Sequence, residues 1–321
     1  MHALLERLGV ELPVIQAGMG GGISRHELAA AVSEAGGLGT IGTIPADALS
    51  DEISAARRLT GRPIAVNLLL PFTRRATRRA AADADLVVTF WGRPRRPGPR
   101  PWLHQCGSAE EARAAVTAGA DGVIAQGVES GGHVRGTTSS LELLERVRRA
   151  VPDGFPVLLA GGMAERADVE RALEAGATAA VLGTAFLLSE ESRAHPEYKR
   201  RLAEADSTQL TELFGLGWPA APHRVVANAS TRRWTAADPR GPAWVRVADR
   251  ALSPLARRFP SSAQARLLLR QTPRLPLLSA QPPTDDGPPG LIETGPLYAG
   301  ETVRRLGEVR PAADLVGSLR P

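Results

Sequence analysis

Within Gln126-Gly127-Val128-Glu129-Ser130-Gly131-Gly132-His133 an amide, a carboxylate and an imidazole stand among glycines, directly after the apolar run Gly122-Val123-Ile124-Ala125. Glycine lets a backbone approach a ligand closely and reach positive φ, and imidazole has an unperturbed pKa of about 6.5, close to working pH. His133 is therefore the candidate catalytic residue, as an acid, base or hydrogen-bonding group. The bland reading of a lone histidine, a hydrogen-bonded structural group, suits the others better. His2 is terminal, His26 faces out of a helix, His104 lies in a strand, and His195 and His223 stand beside prolines in loops. The histidines show no metal-ligand spacing, and His26-Glu27 lacks the second histidine of a zincin helix, so no metal is expected. Lys199 is the sole lysine, which excludes a P-loop and disfavours Schiff-base chemistry. No Gly-x-Ser-x-Gly elbow occurs.

A weak internal repeat supplies the elements that must position these groups. Ser33-Glu34-Ala35-Gly36-Gly37 precedes Leu38 to Ile41, Thr117-Ala118-Gly119-Ala120-Asp121 precedes Gly122 to Ala125, and Glu174-Ala175-Gly176-Ala177 precedes Thr178 to Leu182. Each reads as helix, glycine stop, buried strand. With Val14 and its neighbours, Pro63 to Asn67, Leu86 to Thr89, Trp102 to Gln105 and Pro156 to Leu159, eight strands are complete by about residue 183. That is the number a (β/α)8 TIM barrel requires, with a doubly wound sheet as the alternative. Asn67, Gln126, Gly161-Gly162 and Gly183-Thr184 then end or follow strands at one barrel mouth. Glycines after the last two strands suit an anion pocket.

Three details qualify this pattern. Ser24 predicts the N-cap of a helix to Ala35, with Glu27 completing a capping box. Gly37-Leu38-Gly39-Thr40-Ile41-Gly42 spells the dinucleotide fingerprint, yet it follows a helix and contains the strand, the reverse of a Rossmann context. Residues 92–101 are too short and too rich in proline and arginine for a crossover helix and predict an exposed loop. A helix interrupted near His195-Pro196 runs towards Leu202. From Gly215 the many Pro, Trp and Arg residues predict a small lid subdomain, with Leu255 to Leu269 helical only in pieces. The partition expected is residues 1–214 barrel, 215–295 lid, and 296–321 a segment returning to the barrel.

At 321 residues and 43% hydrophobic the chain can bury a sizeable core. It lacks a long apolar run and a signal-peptide layout, which predicts a soluble, cytoplasmic protein with no membrane partner. Cys106 is alone, which excludes an intrachain disulfide and reads as a core thiol. The net charge of +5 invites nucleic acid, but Arg74-Arg75 and Arg78-Arg79 recur as on one solvated helix face, without aromatic residues for base stacking. No nucleic-acid partner is expected.

The chain resembles the FMN-dependent nitronate monooxygenases, formerly called 2-nitropropane dioxygenases. The resemblance rests on Pro13-Val-Ile-Gln-Ala-Gly-Met-Gly-Gly-Gly, Leu28 to Gly42, Val66-Asn67, Ala125 to His133, Ala160-Gly-Gly-Met and Leu182-Gly-Thr-Ala-Phe186, with Gly217-Trp-Pro-Ala-Ala-Pro-His-Arg224 and Leu297-Tyr-Ala-Gly300 further on. It implies FMN, with Ala17, Gly18, Met19, Asn67, Gln126 and Gly132 as flavin contacts and Gly161, Gly162, Gly183 and Thr184 at the phosphate. His133 would orient a nitronate and act as base towards a nitroalkane, and O2 would complete conversion to a carbonyl compound and nitrite. A homodimer is a further expectation. The competing resemblance is to NAD(P)H-dependent FMN reductases of the enoyl-ACP reductase or quinone reductase type, which share the barrel and the Gly-Gly-His segment. Three departures stand out: the crossover helix is missing at 92–101, Ser130 replaces a common alanine, and Glu301 replaces a usual glutamine. A Glu301 pointing into the site would disfavour an anionic substrate.

Overall fold

Each apolar run that follows a helix and a glycine stop becomes a parallel strand in the computed structural model, which describes residues 2–256 and 268–321. The strands are β1 (Val14–Gln16), β2 (Gly39–Ile41), β3 (Ile64–Leu69), β4 (Leu86–Phe90), β5 (Trp102–Cys106), β6 (Gly122–Gln126), β8 (Val157–Ala160) and β9 (Ala180–Leu182). A two-residue strand, β7 (Gly132–His133), belongs to another sheet. The barrel order is β1-β9-β8-β6-β5-β4-β3-β2. It closes where Leu38 N–H donates to Val14 O and Gln16 N–H to Leu38 O, both at 3.0 Å. The (β/α)8 barrel is thus the architecture; an open doubly wound sheet would leave β1 and β2 as unpaired edges.

The barrel interior is filled by alternate strand residues, among them Ile15, Ala65, Leu86, Val88, Leu103, Ile124, Leu158 and Val181. The helix Ala3–Leu8 adds Leu4 and Leu5 to the same cluster. Gly39 and Gly42 owe their identity to packing. A Cβ on Gly39 would enter the backbone of Ala29, and one on Gly42 would enter that of Met19. Helix and loop therefore close onto β2, and the fingerprint spelling has no nucleotide meaning. Cys106 is buried, and burial pushes its thiol well up, as suits a core group.

The first helix after β1 differs from expectation. It spans His26–Glu34, and its N-cap residue, Arg25, makes no side-chain capping bond. Ser24 instead tightens the preceding loop: its Oγ accepts Met19 N–H at 2.9 Å and donates to Met19 O at 3.2 Å. Gly36 ends the region with φ +94°. Residues 92–101 carry no helix, and half of them are exposed while none is buried. The interrupted helix is two pieces, Thr184–Leu187 and Pro196–Ala203, the second capped by His195 Nδ1, which accepts Glu197 N–H at 3.1 Å.

Two compact units divide the described residues. The barrel unit comprises residues up to Ser130, Arg135–Ser192 and Glu308–Pro321; the second holds Gly131–Val134 and the described part of Arg193–Gly307. Residues 193–214, grouped with the barrel on sequence, pack in the second unit, whereas 308–321 return to the barrel. The second unit is built on a small antiparallel sheet of β10 (Gln209–Thr211), β11 (His223–Val226) and β12 (Leu297–Tyr298). β11 is central, with β10 on one edge and β7 and β12 end to end on the other. A helix, Ala243–Ala256, precedes residues 257–267; the expectation for Leu255 to Leu269 lies largely outside the described residues.

Candidate active site

Parallel barrel strands present their C-terminal ends to one mouth, where loops rather than the packed interior meet a ligand. Ala17, Gly18 and Met19 leave β1, Gln126 ends β6, Gly161 and Gly162 follow β8, and Gly183 and Thr184 follow β9. Asn67 lies inside β3, two residues before its end, and is buried. Thr43 Oγ1 lies 2.9 Å from Asn67 O and 3.1 Å from its Oδ1, which orients the amide. Gly18 abuts that side chain so closely that a Cβ there would enter it. Ala17 N–H donates to Leu182 O at 2.8 Å, which brings the β1 and β9 loops together.

The loop after β8 is open only to glycine. Gly161 has φ +110° and Gly162 φ +75°, values that side-chain-bearing residues rarely adopt. A Cβ on Gly161 would stand 2.7 Å from Ser130 Oγ. That hydroxyl is buried and has no hydrogen-bond partner among the described residues.

The loop after β6 divides its labour. Glu129 is a cap: its two carboxylate oxygens accept Ser140 N–H at 3.1 and 3.0 Å at the start of the helix Ser140–Arg148. Gln126 Oε1 accepts Arg135 N–H at 3.4 Å. The Arg135 guanidinium lies 5.1 Å over the Trp91 ring and 2.5 Å from Glu111. Trp91, just past β4, has φ 62°, a strained setting for a bulky residue. Trp91 and Arg135 are strand-end residues missed on sequence; the only available sign was an aromatic beside a glycine after a strand. A cavity of about 450 Å³ lined by Pro13, Leu173 and Thr178 lies instead where strands begin, the wrong end of a barrel for chemistry.

In the second unit His133 is the centre of an aromatic cluster. Its ring stacks on Trp218 at 3.7 Å and 21°, with His223 at 5.2 Å and Tyr298 at 5.4 Å. Strand alternation accounts for this. His133 and Thr211 pair across His223, and Tyr298 pairs across Val225, so these side chains share one face of the sheet. Gly131 allows the close approach, since a Cβ there would lie 2.5 Å from Gly300 N and 2.6 Å from Ala299 C. Tyr298 Oη donates to Ala280 O at 2.9 Å, and Tyr198 Oη to Tyr298 O at 2.6 Å.

Burial, and secondarily the nearby His223, holds His133 well below the ordinary histidine pKa, so its imidazole is neutral. His223 is pushed down to about 4, again by burial. Its Nδ1 lies 2.9 Å from Ala221 O and its Nε2 accepts Phe214 N–H at 3.4 Å, which fixes the Nδ1–H tautomer. The loop reading of His223 is thereby corrected: it begins a buried strand and touches the candidate catalytic residue's cluster. Its signal was the apolar pair Val225-Val226, too short to declare a strand.

Glu301 does not face this cluster. Arg224 points to the opposite side of β11 from His223, and its Nη2 holds Glu301 Oε1 at 2.9 Å. The carboxylate is thus both neutralised and turned away. His26 meets Glu52 across the barrel's outer helices at 2.6 Å, and Glu52 also accepts His26 N–H at 2.8 Å. With Glu27 these groups could geometrically surround a cation, but the Glu52 contacts already serve as a helix cap.

Fold and strand-end loops together define a (β/α)8-barrel enzyme. The sequence profile of nitronate monooxygenases matches residues 2–89 and 102–321, and the chain belongs to that family of oxidoreductases. The gap in the match covers the proline- and arginine-rich loop. A nitronate monooxygenase of Paraburkholderia phytofirmans is 30% identical over 303 residues, covering 75% of this chain and 80% of that protein. A (3aS,4S,5R,7aS)-5-hydroxy-7a-methyl-1-oxo-octahydro-1H-indene-4-carboxyl-CoA dehydrogenase of Mycobacterium tuberculosis is 31% identical over 245 residues and 70% of this chain, which spans only 65% of that relative. Among solved structures, a nitroalkane oxidase from Streptomyces ansochromogenes superposes with a TM-score of 0.76 at 32% identity, covering 99% and 96% of the two chains. FabK from Thermotoga maritima gives 0.75 at 28%, covering 99% and 94%. No helix among the described residues is long and apolar enough to cross a membrane.

Proposed function

We propose that this chain oxidises alkyl nitronates with FMN and O2, yielding a carbonyl compound and nitrite. The observation that carries the reading is His133, half-buried, neutral and stacked flat on Trp218. A neutral imidazole offers one N–H donor and one nitrogen acceptor. The donor would orient a nitronate oxygen, and the acceptor would take the α-proton of a nitroalkane. Burial penalises the cation that proton removal creates, so a preformed nitronate, which skips that step, is the better substrate. His223, fixed as a neutral tautomer, keeps the cluster free of a competing positive charge.

The residues present fit the cofactor that the family implies. A glycine-only loop after β8 beside an orphaned hydroxyl suits a phosphate, and the loop after β9 adds Gly183 and Thr184. Ala17, Gly18, Met19, Asn67 and Gln126 would contact the flavin from the strand ends. FMN would supply the acceptor for the substrate's electrons and hand them to O2. The chain's own contribution is binding, orientation and exclusion of water.

A nicotinamide-driven reductase is the second reading, favoured by the likeness to FabK and to a relative named as a dehydrogenase. Anaerobic mixing with propionate 3-nitronate, and separately with NADH and NADPH, separates the two. Nitronate oxidation requires flavin bleaching by the nitronate alone. Rapid bleaching by a nicotinamide and none by the nitronate would establish the reductase, and failure to load any flavin would defeat both readings.

A further inference from the structure

Resting on the proposal that the barrel binds FMN, we infer that the Ser130 hydroxyl is a ligand to the cofactor's phosphate, set against the Gly161–Gly162 loop. Ser130 is 8% exposed, and its Oγ is shut away from water with no hydrogen-bond partner among the described residues. The hydroxyl stands 2.7 Å from where a Cβ on Gly161 would be, and the same position lies 3.3 Å and 3.4 Å from Gly127 O and N. Three backbone segments, around Gly127, Ser130 and Gly161, therefore crowd one point, and glycine at residue 161 sets no side chain against the hydroxyl.

Leaving a buried hydroxyl unpaired is unfavourable, because it loses its bonds to water and gains none in return. Alanine would occupy the same space without that penalty. A ligand acceptor arriving at the glycine loop removes the penalty, and a phosphate supplies acceptors that make charge-assisted bonds stronger than neutral ones. Ser130 N–H is already committed to Gly127 O at 3.2 Å, so the contribution of this residue to a ligand comes from the side chain.

The inference separates FMN from riboflavin, which shares the ring system and lacks the phosphate. Dissociation constants for both are measured by flavin fluorescence on apoprotein of the full chain and of Ser130→Ala, with thermal melting of each apoprotein and the 31P resonance of bound FMN. Ser130→Ala should weaken FMN about tenfold, about 1.4 kcal/mol, shift the 31P resonance and leave riboflavin affinity unchanged. Equal loss for both flavins would make Ser130 a packing residue, and no loss for either would make the hydroxyl a bystander; each outcome overturns the inference. Ser130→Cys, a poor donor of similar size, should reproduce the FMN-selective loss if the alanine variant melts early. Wild-type protein that binds no FMN defeats the function proposed above as well, whereas wild-type binding with an unaffected variant defeats this inference alone.

Discussion

Burial sets the chemistry of His133 by making its cation unfavourable, and this creates an asymmetry between substrates. A nitroalkane must surrender a proton before oxidation; a nitronate already has. His133→Asn should therefore slow flavin reduction by a neutral nitroalkane by about 100-fold, the usual scale for losing a general base, and slow the nitronate reaction much less. Stopped-flow absorbance under argon checks this, and equal losses for both substrates would remove the base role. A second buried group carries a pH signature. Asp249 is 1% exposed, both its oxygens lack partners among the described residues, and burial pushes it from 3.8 up to about 7. The folded chain thus keeps a proton that the unfolded chain releases between those values. The stability this contributes is complete below about 3.8 and is lost as pH rises through 7. Asp249→Asn should be more stable than wild type at pH 8 by roughly 2–4 kcal/mol, with the difference vanishing near pH 4. Urea unfolding at the two pH values measures it; a pH-independent difference would contradict the assignment.

Elements differ in how plainly the sequence announces them. Barrel strands are continuous apolar runs with glycine stops, and burial on both faces makes that pattern strong, so Leu86 to Thr89 and Gly122 to Ala125 read directly. The helix start at Ser24 misled because its hydroxyl turned to Met19, a loop contact that spacing cannot foresee. β7 is two residues long and pairs with β11 some ninety positions away, so nothing local marks it. His133 was legible through its glycines, whereas Trp218 and Tyr298 were visible only as pieces of a family resemblance and His223 was misplaced. The two glycines before His133 make the β7 pairing testable. Gly131→Ala would press a Cβ onto the backbone of Ala299 and Gly300, while Gly132→Ala meets open space at φ +71°. The first should cost well over the roughly 1–2 kcal/mol expected from left-handed strain at the second. Chemical denaturation ranks them, and the reverse order would mean that β7 is not held as described.

On the scale of the whole molecule, the barrel depends on a segment far along the chain. The helix Ala312–Ser318 packs on His26–Glu34 and on Thr184–Leu187, with Leu315, Val316 and Leu319 fully buried. Each such side chain is worth roughly 1.5–3 kcal/mol. Ending the chain at Gly307 should lower Tm by roughly 10 °C, read by calorimetry on protein with and without the segment. An unchanged Tm would show the helix to be ornamental.

That dependence also fixes an order of events on the ribosome. Residues Glu308–Pro321 are decoded only after Arg193–Gly307, so the apolar side of His26–Glu34 waits for its cover while the second unit is made. At roughly 5–20 residues per second that stretch takes on the order of 6–23 s. Throughout that interval the nascent barrel offers a sticky seam to chaperones and to neighbouring chains. Rare codons within the second unit would lengthen the exposure, and the yield of folded enzyme becomes sensitive to translation speed there.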